Sequence, residues 1–177
     1  IIHYKVEVGR FDTPSITNKT KIRDSAIEKQ AQAVKEGEYV TRDKLERAVW
    51  LVSDMAGADA RVALSQGSQP GTVKLDMTVE PYIGKHGLIS ADNYGSRAMG
   101  YNEYSLDYDF WNPARNGDHL MASISTTGRH MFNWGTNYIM PLAKDGLKLT
   151  VGYNVFNYDM GDEWAMYKGV GTSRVTS

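Results

Sequence analysis

The chain has 177 residues, enough for one or two small domains, each with only a modest core. Its formal net charge is -1 and its pI is near 6.5, so there is no broad electrostatic case for nucleic acid or an anionic membrane surface as a partner. It has no cysteine; disulfides and thiolate metal sites are excluded, while the compartment stays open.

The chain starts at Ile1 without a charged-then-apolar leader, so a mature product or an excerpt is expected. No run approaches the roughly 18 apolar residues of a spanning helix, but a barrel strand needs only about 9–11 residues of alternating pattern. Ile2, Tyr4, Val6 and Val8 alternate with polar residues and predict a strand, with His3 on its solvated face. Thr13-Pro14-Ser15 and the polar run to Thr20 read as a loop. Within that run Asn18-Lys19-Thr20 matches a glycosylation triplet, a chance match at this length. Ile27, Ala31 and Val34 then mark a short amphipathic helix ended by Gly37. A second helix is expected from an N-cap at Thr41, with Leu45, Ala48, Val49, Val52 and Met55 as its apolar stripe and Gly57 as its stop.

Arg61-Val62-Ala63-Leu64-Ser65 reads as a short strand. Thr72–Glu80 reads as a clearer one, with Val73, Leu75, Met77 and Val79 on one face. The resulting order, strand-helix-helix-strand-strand, predicts an α+β layer of two helices on one side of a small sheet.

Composition changes near residue 83. Beyond it lie 14 of the 19 aromatics and 12 of the 17 glycines, which predicts a domain boundary between 1–82 and 83–177. The second part alternates strongly. Tyr104, Leu106, Tyr108 and Phe110 oppose Glu103, Ser105, Asp107 and Asp109, and the series continues through Leu120–Thr127, Phe132–Met140 and Leu147–Val155. Asn112–Asp118 and Lys144-Asp145-Gly146 are turns, and the run from Lys168 to Ser173 leads toward a further strand. Four or five such strands make an antiparallel meander. Its apolar face could meet a second sheet in a soluble sandwich or lipid in an outer-membrane barrel.

Chemistry-bearing constellations are missing from the pattern. His86, His119 and His130 have no metal-ligand spacing, and Ser90 and Ser96 lack a nucleophile-elbow context. Asp107 and Asp109 continue a polar strand face more simply than they form a glycosidase pair. No catalytic residue, cofactor or metal is expected.

One succession of motifs carries a resemblance. The turn Gln66-Gly67-Ser68-Gln69-Pro70-Gly71 is followed by the strand ending Val79-Glu80-Pro81, then by Asp92-Asn93-Tyr94-Gly95-Ser96 and Gly100. In this order they resemble the outer-membrane transporters of two-partner secretion (TpsB; haemolysin-secretion and filamentous-haemagglutinin transporters). The resemblance implies an α+β POTRA-like periplasmic domain over 1–82 and the first strands of an outer-membrane β-barrel over 83–177, with Asp92–Ser96 as a domain-junction motif. It further implies no enzymatic activity, a secreted exoprotein in extended form as partner, outer-membrane lipid around the strands, and no nucleic acid. If Arg61–Ser65 is a sheet edge, these five residues are where the partner would add as a further strand.

Family members carry about sixteen barrel strands. Five strands do not close a wide barrel, so the chain alone is not expected to be a working pore. Its strands should form an open curved sheet, pair with another copy, or pack on the helical module. Two other classes remain open: a soluble carbohydrate- or protein-binding β domain of an adhesin, and a relative of the barrel-assembly machinery that inserts membrane proteins.

Overall fold

The computed structural model describes residues 8–32, 34–82, 84, 86–142, 145–167 and 169–177. They fall into two units: the described residues of Ile1–Ile83 with Ala114–Gly117 and Pro141–Lys148, and those of Gly84–Pro113, Asp118–Met140 and Leu149–Ser177. Among the described residues no helix is long and apolar enough to cross a membrane.

In the first unit the strands are β1 (Arg10–Phe11), β2 (Ser15–Asn18), β3 (Ala58–Gln66) and β4 (Thr72–Pro81), and the helices are α1 (Asp24–Ala31) and α2 (Arg42–Ser53). β4 is central. It pairs in parallel with β1 and β2 and antiparallel with β3. Its alternation is as read from the sequence: Leu75, Met77 and Val79 are buried, and Asp76, Thr78 and Glu80 are half-buried. The core joins them to Phe11, Ile27, Ala48, Val52 and Met55. Leu45 and Val49 of the expected α2 stripe pack against that cluster.

Three local expectations are corrected. Ser15–Asn18, read as loop, is a strand, because Ile16 packs on the core and the backbone finds a ladder on Asp76–Val79 that its polar composition does not advertise. α1 stops at Ala31, capped at Gln32, so Val34 is buried beyond the helix end and Gly37 takes its left-handed φ of 80° in a later turn. β3 is nine residues long rather than five. The strand expected over Ile2–Val8 lies outside the described residues apart from Val8, as does His3.

Ala114–Gly117 joins the first unit through backbone bonds: Arg23 N–H donates to Arg115 O (2.9 Å) and Ala56 N–H to Gly117 O (3.0 Å). Asn18, the glycosylation-like asparagine, has its Nδ2 engaged by Ile22 O and Asp24 Oδ1 at 2.8 and 2.6 Å.

The second unit is a six-stranded antiparallel sheet in chain order: β5 (Gly87–Asp92), β6 (Glu103–Trp111), β7 (His119–Thr126), β8 (Met131–Pro141), β9 (Lys148–Asp159) and β10 (Val170–Thr176). The meander of β6 to β9 follows the sequence reading. β5 was not expected, because Gly87-Leu88-Ile89-Ser90-Ala91 has two adjacent apolar residues and no alternation. A six-residue 3-10 helix at Asp162–Tyr167 precedes β10. Among the described strands β5 and β10 each have one neighbour, so the sheet is open.

Candidate functional site

Register sorts the sheet's side chains into rows. Ile89, Leu106, Ile124 and Trp134 lie across from one another on successive strands, and the next row holds Ala91, Tyr104, Thr126 and Phe132. Trp134 continues the face onto β9 through Tyr153, ring centroids 5.5 Å apart. These residues are not sealed in a core: Leu106 is 44 %, Ile124 45 % and Ile89 80 % exposed. Val155 on β9 is the buried exception.

The other face is polar and cross-linked. Ser90 and Ser105 hydroxyls are 2.6 Å apart, Ser105 stands beside Ser125 and Ser125 beside Asn133, and Asn154 Nδ2 donates to Asn133 Oδ1 at 3.0 Å. Asp107 and Asp109 share this face, and Asp109 Oδ1 lies 3.2 Å from His119 Nε2. Among the described residues no group of three or more His, Asp or Glu is placed to hold a metal ion. From β5 to β9 these rows are mainly apolar and the opposite rows mainly polar, the division a strand between lipid and water needs, while on β10 Arg174 stands across from Val155 and Thr176 across from Tyr153, on the apolar side.

The expected junction motif falls at the β5–β6 connection. Asp92 closes β5, its Oδ1 accepts from Tyr94 N–H at 3.1 Å, and Tyr94 is exposed. Gly95 N–H donates to Tyr101 O at 3.0 Å, and Gly100 N–H donates to Ser96 O at 2.8 Å. A Cβ on Gly95 would stand 2.1 Å from Gly100 O, so only glycine allows this approach of two backbones. The loop is tied to its neighbours by Thr127 Oγ1 donating to Met99 O (2.5 Å) and Gly161 N–H donating to Ala98 O (2.8 Å). Gly95→Ala is therefore expected to cost about 1–3 kcal/mol by overpacking, seen as a lower urea midpoint of the folded chain. Tyr94→Ala should leave that midpoint in place, and equal midpoints for all three proteins would refute the packing argument.

The expected partner strand, Arg61–Ser65, lies within β3, which among the described strands pairs with β4 alone. In an antiparallel ladder alternate residues turn both main-chain groups toward the partner, and the residues between turn theirs away. The phase is fixed by Ala58 N–H, which donates to Met55 O at 3.1 Å, and Ala60 N–H, which donates to Ser53 Oγ at 3.1 Å. Both point away from β4. By the same alternation Val62 and Leu64 present outward N–H and C=O groups, while Arg61, Ala63 and Ser65 turn theirs to Thr78, Asp76 and Lys74. The first half of this edge is covered by the end of α2, and among the described strands none pairs with the second half. Of the five residues, Val62 and Leu64 are thus the ones whose backbone is available, a distinction invisible without the phase of the ladder.

Side chains around that edge are tethered. Arg61 reaches Asp59 at 3.2 Å, and Ser65 Oγ donates to Asp76 Oδ2 at 2.5 Å. At the β3–β4 tip, the Ser68 N–H donates to Asp12 Oδ2 at 2.6 Å. This bond, with help from the Ser68 side chain and the Thr13 N–H, holds the Asp12 carboxyl below the usual carboxylate range. On the far side of the sheet, β2 and α1 border a groove of about 300 Å³ lined by Ile16, Glu28, Ala31 and Val34.

Comparison with known proteins gives no matching family model and no matching curated protein. Solved structures do match. CdiB from Escherichia coli superposes with a TM-score of 0.64 over 96 % of this chain and 31 % of that one, at 16 % identity. CdiB from Acinetobacter baumannii gives 0.61 over 95 % and 32 %, also at 16 % identity. A BamA from Haemophilus ducreyi lacking POTRA domains 1-3 gives 0.56 over 92 % and 30 %, at 14 % identity. The chain spans about a third of the length of each. CdiB is a TpsB transporter, so the two-partner-secretion resemblance read from the motifs has structural neighbours of that kind: the fold of this chain is that of a segment of CdiB and BamA.

Proposed function

We propose that this chain is part of an outer-membrane transporter of the two-partner secretion type. In this reading the first unit is a POTRA-like periplasmic module that receives an exoprotein in extended form. The second supplies opening strands of a barrel through which that exoprotein reaches the surface. The observation that carries the reading is the mainly apolar face of β5 to β9, Ile89–Leu106–Ile124–Trp134 and its flanking rows, exposed among the described residues and opposite a hydrogen-bonded polar face. A soluble sandwich would cover that face. An adhesin domain of this kind should stay monomeric in buffer, whereas the strands proposed here need detergent or lipid.

Recognition is assigned to the open half of β3. An added strand would bond to the outward main-chain groups of Val62 and Leu64, which demands an extended partner and little particular sequence. Val62→Pro or Leu64→Pro removes one outward N–H each without touching the β4 ladder, whose bonds run through Arg61, Ala63 and Ser65. Each substitution is expected to weaken binding of the exoprotein's transport segment by about tenfold, the worth of one net hydrogen bond. Titration calorimetry against that segment measures it. Unchanged affinity in both variants, with the far-ultraviolet spectrum preserved, rules the edge out.

The BamA match favours a second reading, an insertase that folds membrane proteins. Loss of one secreted exoprotein on deletion of the gene speaks for the transporter; a general fall in outer-membrane barrels speaks for the insertase.

A further inference from the structure

Ala114–Gly117 belongs to the first unit, where it ties the start of α1 to the end of α2. Arg115 O accepts from the N–H of Arg23, the residue before α1, and Arg115 Nε donates to Lys21 O at 3.1 Å. Gly117 O accepts from the N–H of Ala56, just past α2. Gly117 is buried against Met55: a Cβ at position 117 would stand 2.7 Å from Met55 Cβ. Between the two anchored residues, Asn116 is half-buried, and its Oδ1 accepts from Arg23 Nη1 at 3.3 Å. Arg115 has a φ of 63° and Gly117 one of 73°. For arginine that conformation is strained and persists only while its surroundings impose it, so the segment is a strap gripped on both sides of Asn116.

The strap contains the pair Asn116-Gly117, in which the glycine has no side chain to shield its nitrogen. In a free chain the Gly117 nitrogen attacks Asn116 Cγ. A C–N bond forms, the Cγ–Nδ2 bond breaks, and ammonia leaves with the proton given up by the Gly117 nitrogen, closing a five-membered succinimide. Water then adds at one of the two imide carbonyls and opens the ring to aspartate or isoaspartate.

We propose that Asn116 is a deamidation site gated by the docking of this strap. Ring closure swings the Gly117 nitrogen onto Cγ, which turns the peptide unit between two carbonyls that Arg23 and Ala56 hold in place. It therefore proceeds only from chains whose strap has opened locally. The isoaspartate product does not fit back. It inserts one extra methylene into the main chain between Arg115 O and Gly117 O, so the two anchoring bonds no longer form in register and Met55 stays uncovered. Deamidation turns a reversible opening into a permanent release.

The test ages the whole chain, folded in mild detergent, in mildly alkaline buffer. Mass spectrometry of the peptide containing Asn116 follows deamidation, and hydrogen exchange at Ala56 follows opening. Deamidation is expected to be at least about tenfold slower in the folded chain than in urea, and Ala56→Pro, which removes the N–H held by Gly117 O, should recover about tenfold, the worth of one net hydrogen bond. Equal rates in the folded chain and in urea overturn the gate, as does an unchanged rate in Ala56→Pro whose Val52 amide is still protected. If that variant unfolds, the aged wild type decides. Its isoaspartyl fraction should exchange at Ala56 about tenfold faster than the fresh chain, by the same reckoning, while Asn116→Asp, with a main chain of normal length, keeps the slow rate. Undiminished protection of Ala56 in the isoaspartyl fraction overturns the release.

Discussion

Leu106→Arg is expected to lower the stability of the membrane-inserted chain by about 2–4 kcal/mol, the cost of a guanidinium near the bilayer midplane on a strand's lipid face. Leu106 lies between Ile89 and Ile124 in a row with no polar member to receive the charge. The neighbouring Asp107→Lys puts a charge on the opposite face, beside Ser123, and should cost little. Urea titration of both variants in vesicles gives the difference directly. A sandwich packed on its apolar face would also reject arginine in plain buffer; a barrel segment rejects it only against lipid, so the variant should be no worse than wild type in a mild, water-rich detergent mixture. Equal tolerance of the two substitutions in vesicles would remove the argument for lipid contact.

The other large effect belongs to the first unit. Leu75 is 1 % exposed at the middle of the central strand, paired with Leu64. Leu75→Ala removes most of a buried side chain from the strand that pairs with β1, β2 and β3, and should cost about 2–5 kcal/mol. For a module of this size that is a large part of the total stability. Hydrogen exchange reports it locally: amides of α2 around Val52 should lose protection, while those of β7 and β8 keep theirs. Unaltered protection at Val52 would show that the core collapses around the gap or does not depend on β4.

What could be read from the sequence follows from how each signal is written into it. Strands with one dry and one wet face carry their period in residue type, so β4, β6, β7, β8 and β9 were legible together with the faces they present. β2 was not, because a parallel strand of four residues, Ser15-Ile16-Thr17-Asn18, has one apolar residue to show and owes its structure to a partner about sixty positions away. β5 was missed for a related reason: an edge strand with adjacent Leu88 and Ile89 has no alternation to detect. The candidate edge was reached only by resemblance. That five residues at 61–65 lie on an edge came from family likeness. That Val62 and Leu64 are the two with outward backbone follows from the phase of the ladder, which Ser53 and Met55 reveal and no side-chain pattern encodes.

The central place of β4 has a consequence for how the first unit comes to exist. Ser15–Asn18 and Ala58–Gln66 both dock on a strand that ends at Pro81, so each of these pairings waits until the chain has been delivered almost to residue 82. Until then the two helices have only each other and the Arg10–Tyr39 bridge to close on, a high-contact-order arrangement that delays collapse. Their apolar stripes are open to mispairing over that interval. A holdase that shields Ile27, Val52 and their neighbours until β4 arrives would raise the yield of folded module without altering its final stability.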